Sequence, residues 1–210
     1  MKRKLIPNLA INNGEISCKD RTGKYQPLLK LQGDLDGACA TYCVVMNLLV
    51  LQLIYNSDTR VGSSPRDAET KHLIRKFFKN YGMHRNGQTY TKIRKMLLES
   101  FGKKVVCTHY ASNDELKTLD TIESTIKSKI PAIISVSFKG GGAHALLAVG
   151  YEKEGDDIKS ILCLDPSGQR VGNRRWNATI ELHFDGRATY RHNYEGQKVS
   201  LDDILVIDRK

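Results

Sequence analysis

From Cys39 to Ile54 the chain is apolar on nearly every side, which predicts a buried central helix rather than a surface one. Gly37, just ahead of it, permits an unusual turn of the backbone. Ser64-Pro65 followed by Asp67 reads as a second helix start, with an N-cap serine, a proline at the first helical position and an early acid. Its inner face uses Leu73, Ile74, Phe77, Phe78 and Tyr81, and Gly82 stops it. Thr89–Phe101 is a third helix, ended by Gly102. Lys103–His109 has the pattern of a strand. The run from Ser112 to Glu115 is a capping box for a fourth helix, with Leu116, Leu119, Ile122 and Ile126 inside. After Pro131 the character changes. Ala132–Phe138, Ala143–Tyr151, Ile158–Asp165, Ala178–Phe184, Arg187–Arg191 and Ile204–Ile207 are predicted strands, rich in Ile, Val and Leu. Residues 1–30, with turn signals at Asn13-Gly14 and Thr22-Gly23, read as an N-terminal arm, and 31–210 as the domain. Helices first and antiparallel strands second predict an α+β fold. Its N-terminal helical half packs on a C-terminal antiparallel sheet, with a cleft between the two.

At 210 residues the chain is of one-domain length, and 40% hydrophobic with 27% charged residues excludes general disorder. The longest apolar run, Cys43–Ile54, carries Asn47 and Gln52 and is too short to span a bilayer. The basic start is followed by Pro7, Asn8 and Asn12, which break any signal-peptide core, so no signal peptide is expected. The five cysteines are odd in number and form no CxxC pair, which argues against a disulfide framework or a structural zinc and for a reducing compartment. No metal or cofactor is expected. The net charge is +10, and residues 66–104 carry eleven Lys/Arg against Asp67, Glu69 and Glu99. A solvated basic face, an acidic protein partner and, last, nucleic acid are the readings of that excess.

Cys39 begins the most apolar helix. A thiol there faces the positive end of the helix dipole and unbonded backbone N–H groups, which favours thiolate. Packing is the alternative, and Cys43, one turn deeper, is read as packing. His144 follows Gly140-Gly141-Gly142 and opens the apolar strand AHALLAVGY. The next strand ends in Asp165, which Pro166 terminates. If the hairpin is centred between Glu154 and Gly155, His144 and Asp165 stand directly opposite, with Cβ atoms roughly 4.5–5.5 Å apart. A carboxylate beside an imidazole fixes its tautomer and stabilises imidazolium, and that imidazole promotes a thiolate. The Cys39 N–H and the Gln32 side-chain amide then supply an oxyanion hole.

The order Gln32, Cys39 at a helix start, His144 on a strand and Asp165 after the next resembles the papain-like cysteine peptidases. Within them the chain is most similar to the double-glycine peptidase domains that process bacteriocins. The motifs are Cys39-Ala-Thr-Tyr-Cys43-Val-Val-Met46, HALLAVGY and LCLDPSG, within about residues 30–168. Departures are a seven-residue Gln32–Cys39 spacing where six is usual, Ala40 in place of a frequent Gly, and a longer His–Asp interval. The resemblance implies a papain-like fold and cleavage of a protein substrate after a Gly-Gly pair. A free-standing, basic, signal-free domain of this kind resembles the toxins of bacterial competition. That implies delivery by a secretion system into a target cytoplasm and an acidic cognate immunity protein. A type II topoisomerase subunit is one conceivable target. A papain-like deamidase or transglutaminase-type acyl transferase, and a non-catalytic basic binding module, are the alternatives.

Gly141, Gly142 and Ala143 are candidate substrate contacts, where glycines keep the cleft wall low, although they also suit a plain loop. Asp36, with Asp34, either binds a substrate amine or holds the Gln32 loop. Cys107 and His109 share a strand face and, with no carboxylate near, read as core and surface residues. His183 and Asp185 also share a face, which is weak grounds for a metal. Trp176 reads as packing.

Overall fold

The computed structural model describes residues 1–32, 37–60, 64–77, 89–111, 115–169, 172–183, 188–192 and 195–210. The expectations for Asp34, Asp36, Phe78, Tyr81, Gly82, residues 112–114 and Asp185 lie outside the described residues. Among the described residues no helix is long and apolar enough to cross a membrane.

The arm comes first. β1 (Lys2–Leu5) is followed by a three-stranded sheet of β2 (Leu9–Asn12), β3 (Glu15–Lys19) and β4 (Tyr25–Pro27). Its Ile6, Leu9, Ile16, Cys18 and Leu28 are buried in the same core as the rest of the chain.

α1 (Cys39–Val50) is shorter than the sequence predicts. Gln52 adopts φ 57°, and the Arg21 side chain donates to the Gln52 and Leu53 carbonyls, so the end of the helix is closed by the arm. α2 (Ala68–Arg75) also departs from expectation. Its N-cap is Asp67, which accepts from the Thr70 N–H at 2.8 Å, rather than Ser64. A carboxylate at this place satisfies an orphan donor and meets the helix dipole together. α3 (Tyr90–Phe101) is capped by Thr89 and closed at Gly102. β5 (Val105–Tyr110) and α4 (Glu115–Lys127) follow, with Ile122 and Ile126 fully buried.

The remaining strands are β6 (Ala132–Phe138), β7 (Ala143–Glu154), β8 (Asp157–Leu164), β9 (Ala178–Leu182), β10 (Ala188–His192) and β11 (Glu195–Arg209). They pair in the order β7-β6-β11-β10-β9-β8, and β8 returns to β7, so this antiparallel sheet closes into a six-stranded barrel. β1 extends the barrel along β7, and β5 along β11. Closure removes the sheet edges that would otherwise be open to pairing. β11 begins far earlier than the predicted Ile204, because its polar first half is held by pairing with β10 and β6 rather than by apolar burial. α1 lies against β6 and β7. There the Asn47 side chain donates to the Pro131 carbonyl at 3.0 Å, and the Cys43 thiol to the Ala145 carbonyl at 3.4 Å.

The β7–β8 hairpin does not have the expected register. It turns on Gly155-Asp156 with Glu154 opposite Asp157, and near the site Leu147 faces Leu164. A hairpin centred between Glu154 and Gly155 places Ala145 opposite Leu164, two residues away. His144 and Asp165 are therefore not direct cross-strand partners. An even displacement leaves each side chain on its original face, whereas a shift of one would have turned them apart.

Candidate active site

Cys39 is the first residue of α1, with its side chain partly exposed. Its sulfur accepts the Ala145 N–H at 3.4 Å, which ties the helix start to β7. His144, on the exposed beginning of β7, bonds Asp165 Oδ1 through Nε2 at 2.7 Å. The imidazole also hydrogen-bonds the Cys39 side chain, and with Nε2 occupied the nitrogen left for sulfur is Nδ1. Asp165 is wholly buried.

Asp165 is held by groups that local sequence does not advertise. Its Oδ1 also accepts the Ser167 N–H at 2.8 Å, and its Oδ2 accepts the Tyr190 hydroxyl. Asn177 clamps the backbone around it. The Asp165 N–H donates to Asn177 Oδ1 at 2.7 Å, and Asn177 Nδ2 donates to the carbonyls of Asp165 and Gly168 at 2.9 and 2.8 Å. Such a set of bonds offsets the cost of burying a carboxylate.

The electrostatics follow. Burial pulls the His144 imidazolium down, but hydrogen bonds to Asp165 and Cys39, and their charges, outweigh it and raise the group to about 9. Burial pushes the Cys39 thiol up. The His144 bond and charge, with the Ala145 and Ala40 N–H groups, overcome that and leave it below the ordinary thiol value. Asp165 is held low by the same balance, burial being outweighed by His144, Tyr190 and Ser167. Thiolate beside imidazolium is thus the stable form between the lowered Cys39 value and about 9. The other four thiols are driven the opposite way by burial, Cys18 to about 12 and Cys107 to about 11, with Cys43 and Cys163 also raised. Cys43 is therefore packing, as its sequence position suggests.

A cleft of about 510 Å³ opens beside the sulfur, lined by Cys39, His144, Ala143, Tyr90, His109 and Asp203 among others. Ala143 is brought to it, while Gly141 and Gly142 stand exposed immediately before, at φ 93° and 91°. Gln32 donates its backbone N–H to the Pro166 carbonyl at 2.8 Å, beside the Asp165 turn. Its side-chain oxygen is buried with no partner among the described residues. A larger cleft of about 610 Å³ lies elsewhere, against Arg3, Arg174 and Trp176, and among the described residues is lined by no cysteine or histidine. Trp176 packs there beneath Arg3, whose guanidinium is 4.8 Å from the ring centre.

His109 corrects the sequence reading. It lies in the cleft and does have a carboxylate, Asp203, at 2.9 Å. That partner lies 94 residues on, beyond any local pattern. His183 bonds Thr189 at 2.7 Å, and no cluster of metal-ligating side chains occurs among the described residues.

A family model described as the Peptidase_C39-like family matches residues 29–199. The chain belongs to the Peptidase_C39-like family. That places it in the papain-like cysteine peptidase superfamily, and the match takes in Gln32, Cys39, His144 and Asp165 together. No curated protein matches the chain. The family begins at residue 29, so β1 to β4 lie ahead of it, although their apolar side chains share its core.

Proposed function

We propose that the protein is a papain-like cysteine peptidase with Cys39 as nucleophile, His144 as general base and acid, and Asp165 as the group that orients and charges His144. The observation that carries this is the contrast among the thiols. Only Cys39 is held below its ordinary value, by an imidazole that is itself anchored on a buried carboxylate. In this reading the Cys39 thiolate attacks the scissile carbonyl carbon. The oxyanion so formed is met by the Cys39 N–H and the Gln32 side-chain amide. His144 Nδ1 gives its proton to the leaving amine, which departs and leaves a thioester. Water then attacks the thioester carbon, His144 takes a proton from it, the acyl group leaves as the new carboxyl terminus, and the Cys39 thiolate is regenerated beside imidazolium. Asp165 stays ionised throughout, as its bonds from His144, Ser167 and Tyr190 favour.

The substrate is a protein cut after a Gly-Gly pair, a reading supported by the double-glycine motifs and by the low, open Gly141-Gly142 lip. We place its action in a bacterial cytoplasm reached through a secretion system. A type II topoisomerase subunit is a candidate target, and an acidic immunity protein is the producer's protection. Two observations support the last pairing, the +10 net charge and the basic 66–104 segment.

Expression of the wild type and of Cys39→Ala in a bacterial cytosol, followed by profiling of new protein N-termini, tests the reading. New N-termini after Gly-Gly in the wild type alone are expected. The same termini from Cys39→Ala would defeat the peptidase. A mass gain of about one dalton on an uncut substrate would mean that the thioester chemistry serves deamidation instead.

A further inference from the structure

Beyond Cys39 and His144 the cleft runs between the start of α3 and the barrel wall, and its far end is acidic. β11 pairs with β6 as Leu201↔Val136 and then Ile204↔Ile134, so Asp202 and Asp203 together oppose Ser135. This is a β-bulge, a device that re-aims side chains beside active sites. Asp202 turns to Ser137, whose hydroxyl donates to it at 3.1 Å. Asp203 turns into the cleft, 39% exposed, with His109 on its Oδ2 and no partner on Oδ1 among the described residues.

Tyr90 supplies an independent sign. It lines the same cleft and is only 6% exposed, and its hydroxyl is buried without a hydrogen-bond partner among the described residues. Burial first, and then the charges of Cys43, Cys39, Asp203 and Asp202, hold that hydroxyl protonated. The Tyr90 ring meets the His109 ring edge-on, centroids 5.7 Å apart, which sets it beside the His109–Asp203 pair. A buried hydroxyl with no partner destabilises the protein, and a ligand that bonds it removes that cost. Among the described residues no lysine or arginine lines this cleft, although the chain has a large excess of them.

We propose that this end of the cleft is a specificity pocket for a lysine or arginine side chain flanking the glycine pair of the substrate, with Asp203 as its specificity-determining residue. The aliphatic stem of the guest runs along Ala40 and Ala143. Its charged head reaches Asp203 Oδ1, the Tyr90 hydroxyl and Ser135. Bonds to a carboxylate in such a recess are charge-assisted and favour arginine, whose donors can serve two acceptors together. The proposal builds on Cys39 as the nucleophile, and its test separates the two.

Peptidyl vinyl sulfones that end in Gly-Gly at the warhead, with the residue before that pair set to Arg, Lys, Leu or Glu, report the pocket through the rate of Cys39 labelling. Arg and Lys should label about tenfold faster than Leu and more so than Glu. In Asp203→Asn the Arg-to-Leu ratio should fall to about one, and Tyr90→Phe should lower it by about two- to threefold. Asp203→Lys should reverse the preference toward Glu, a gain that misfolding cannot produce. The matching peptide amides, titrated by NMR into the Cys39→Ala protein, read the pocket without the thiol. Tighter binding of the Arg peptide, with shifts at Tyr90 and His109, supports the pocket. Equal affinity for Arg and Leu overturns it whatever the thiol does. Arg-selective binding with no labelling of wild-type Cys39 would keep the pocket and refute the peptidase.

Discussion

Replacing Asp165 by asparagine removes a charge while keeping a shape. The asparagine Oδ1 can still accept from His144 Nε2 and from the Ser167 N–H, and the Tyr190 hydroxyl can rotate from donor to acceptor against the new amide. The imidazolium loses its anion. His144 rises from its ordinary 6.5 to about 9 in spite of burial. That rise is worth roughly 3 kcal/mol at about 1.36 kcal/mol per pH unit. Asp165 and Cys39 share it, with the Asp165 bond the larger of the two hydrogen bonds. Assigning half to Asp165 gives a change on the order of 20-fold in the ratio of thiolate–imidazolium to the neutral pair. Iodoacetamide measures that ratio with no substrate, and intact mass counts the adducts. A single adduct is expected in the wild type, because the other four thiols are buried and pushed up. The neutral-pH rate at Cys39 should fall in Asp165→Asn, by at most about 20-fold since the ion pair is the dominant form in the wild type, and recover as the solution is made alkaline. Superimposable rate–pH curves for the two proteins, both folded, would show that Asp165 does not charge the pair.

Asn177→Ala removes three buried hydrogen bonds from the Asp165 turn and should cost about 2–4 kcal/mol in urea unfolding, and a loss near zero would refute the clamp. Tyr190→Phe keeps the ring against Phe138 but deletes a donor to the carboxylate, and should cost about 1.5–3 kcal/mol in the same assay. Gly142→Ala, at φ 91° with open space around it, should lose about 1–2 kcal/mol by backbone strain alone, whereas Gly140→Ala, equally open and outside that region, should be neutral. Because His144 is raised, its stabilising share is complete below about 6.5 and is lost as pH climbs through about 9, whereas the lowered Cys39 thiol contributes in the opposite sense, so Cys39→Ala should lose stability more steeply across that interval than the wild type does.

The parts of the site written in local patterns were legible. Cys39 stands where a polar, glycine-bearing stretch gives way to an unbroken apolar helix, His144 opens an apolar strand, and Asp165 closes the next before a proline. Helix ends were harder. Ser64 and Asp67 both suit an N-cap, and the choice fell to Asp67, whose carboxylate takes the Thr70 N–H. The early part of β11 was invisible because its polar run carries little strand signal, and its place is set by partners on both sides. Tyr190 and Asn177 could not be assigned to Asp165 because the barrel, not the local chain, brings them to it. The role of His109 needed Asp203, which only the β11 bulge turns toward it.

The misjudged hairpin register shows what positions the carboxylate. A displacement of two residues left His144 and Asp165 on the same face but no longer opposite, and yet they meet at 2.7 Å. Direct cross-strand pairing therefore cannot be what sets their distance. The contacts that do set it come from the segment leading into β9 and from β10, through Asn177 and Tyr190, on the side where the barrel closes. The sulfur, in contrast, is placed by α1 and by the Ala145 N–H of β7. His144 joins the two assemblies, through Asp165 on one side and Cys39 on the other, so the charge state of the thiol depends on α1 and the closed barrel keeping a fixed distance. Part of that distance is kept by Asn47 and Cys43, two side chains of α1 that take no part in the chemistry but bond the Pro131 and Ala145 carbonyls of the barrel wall.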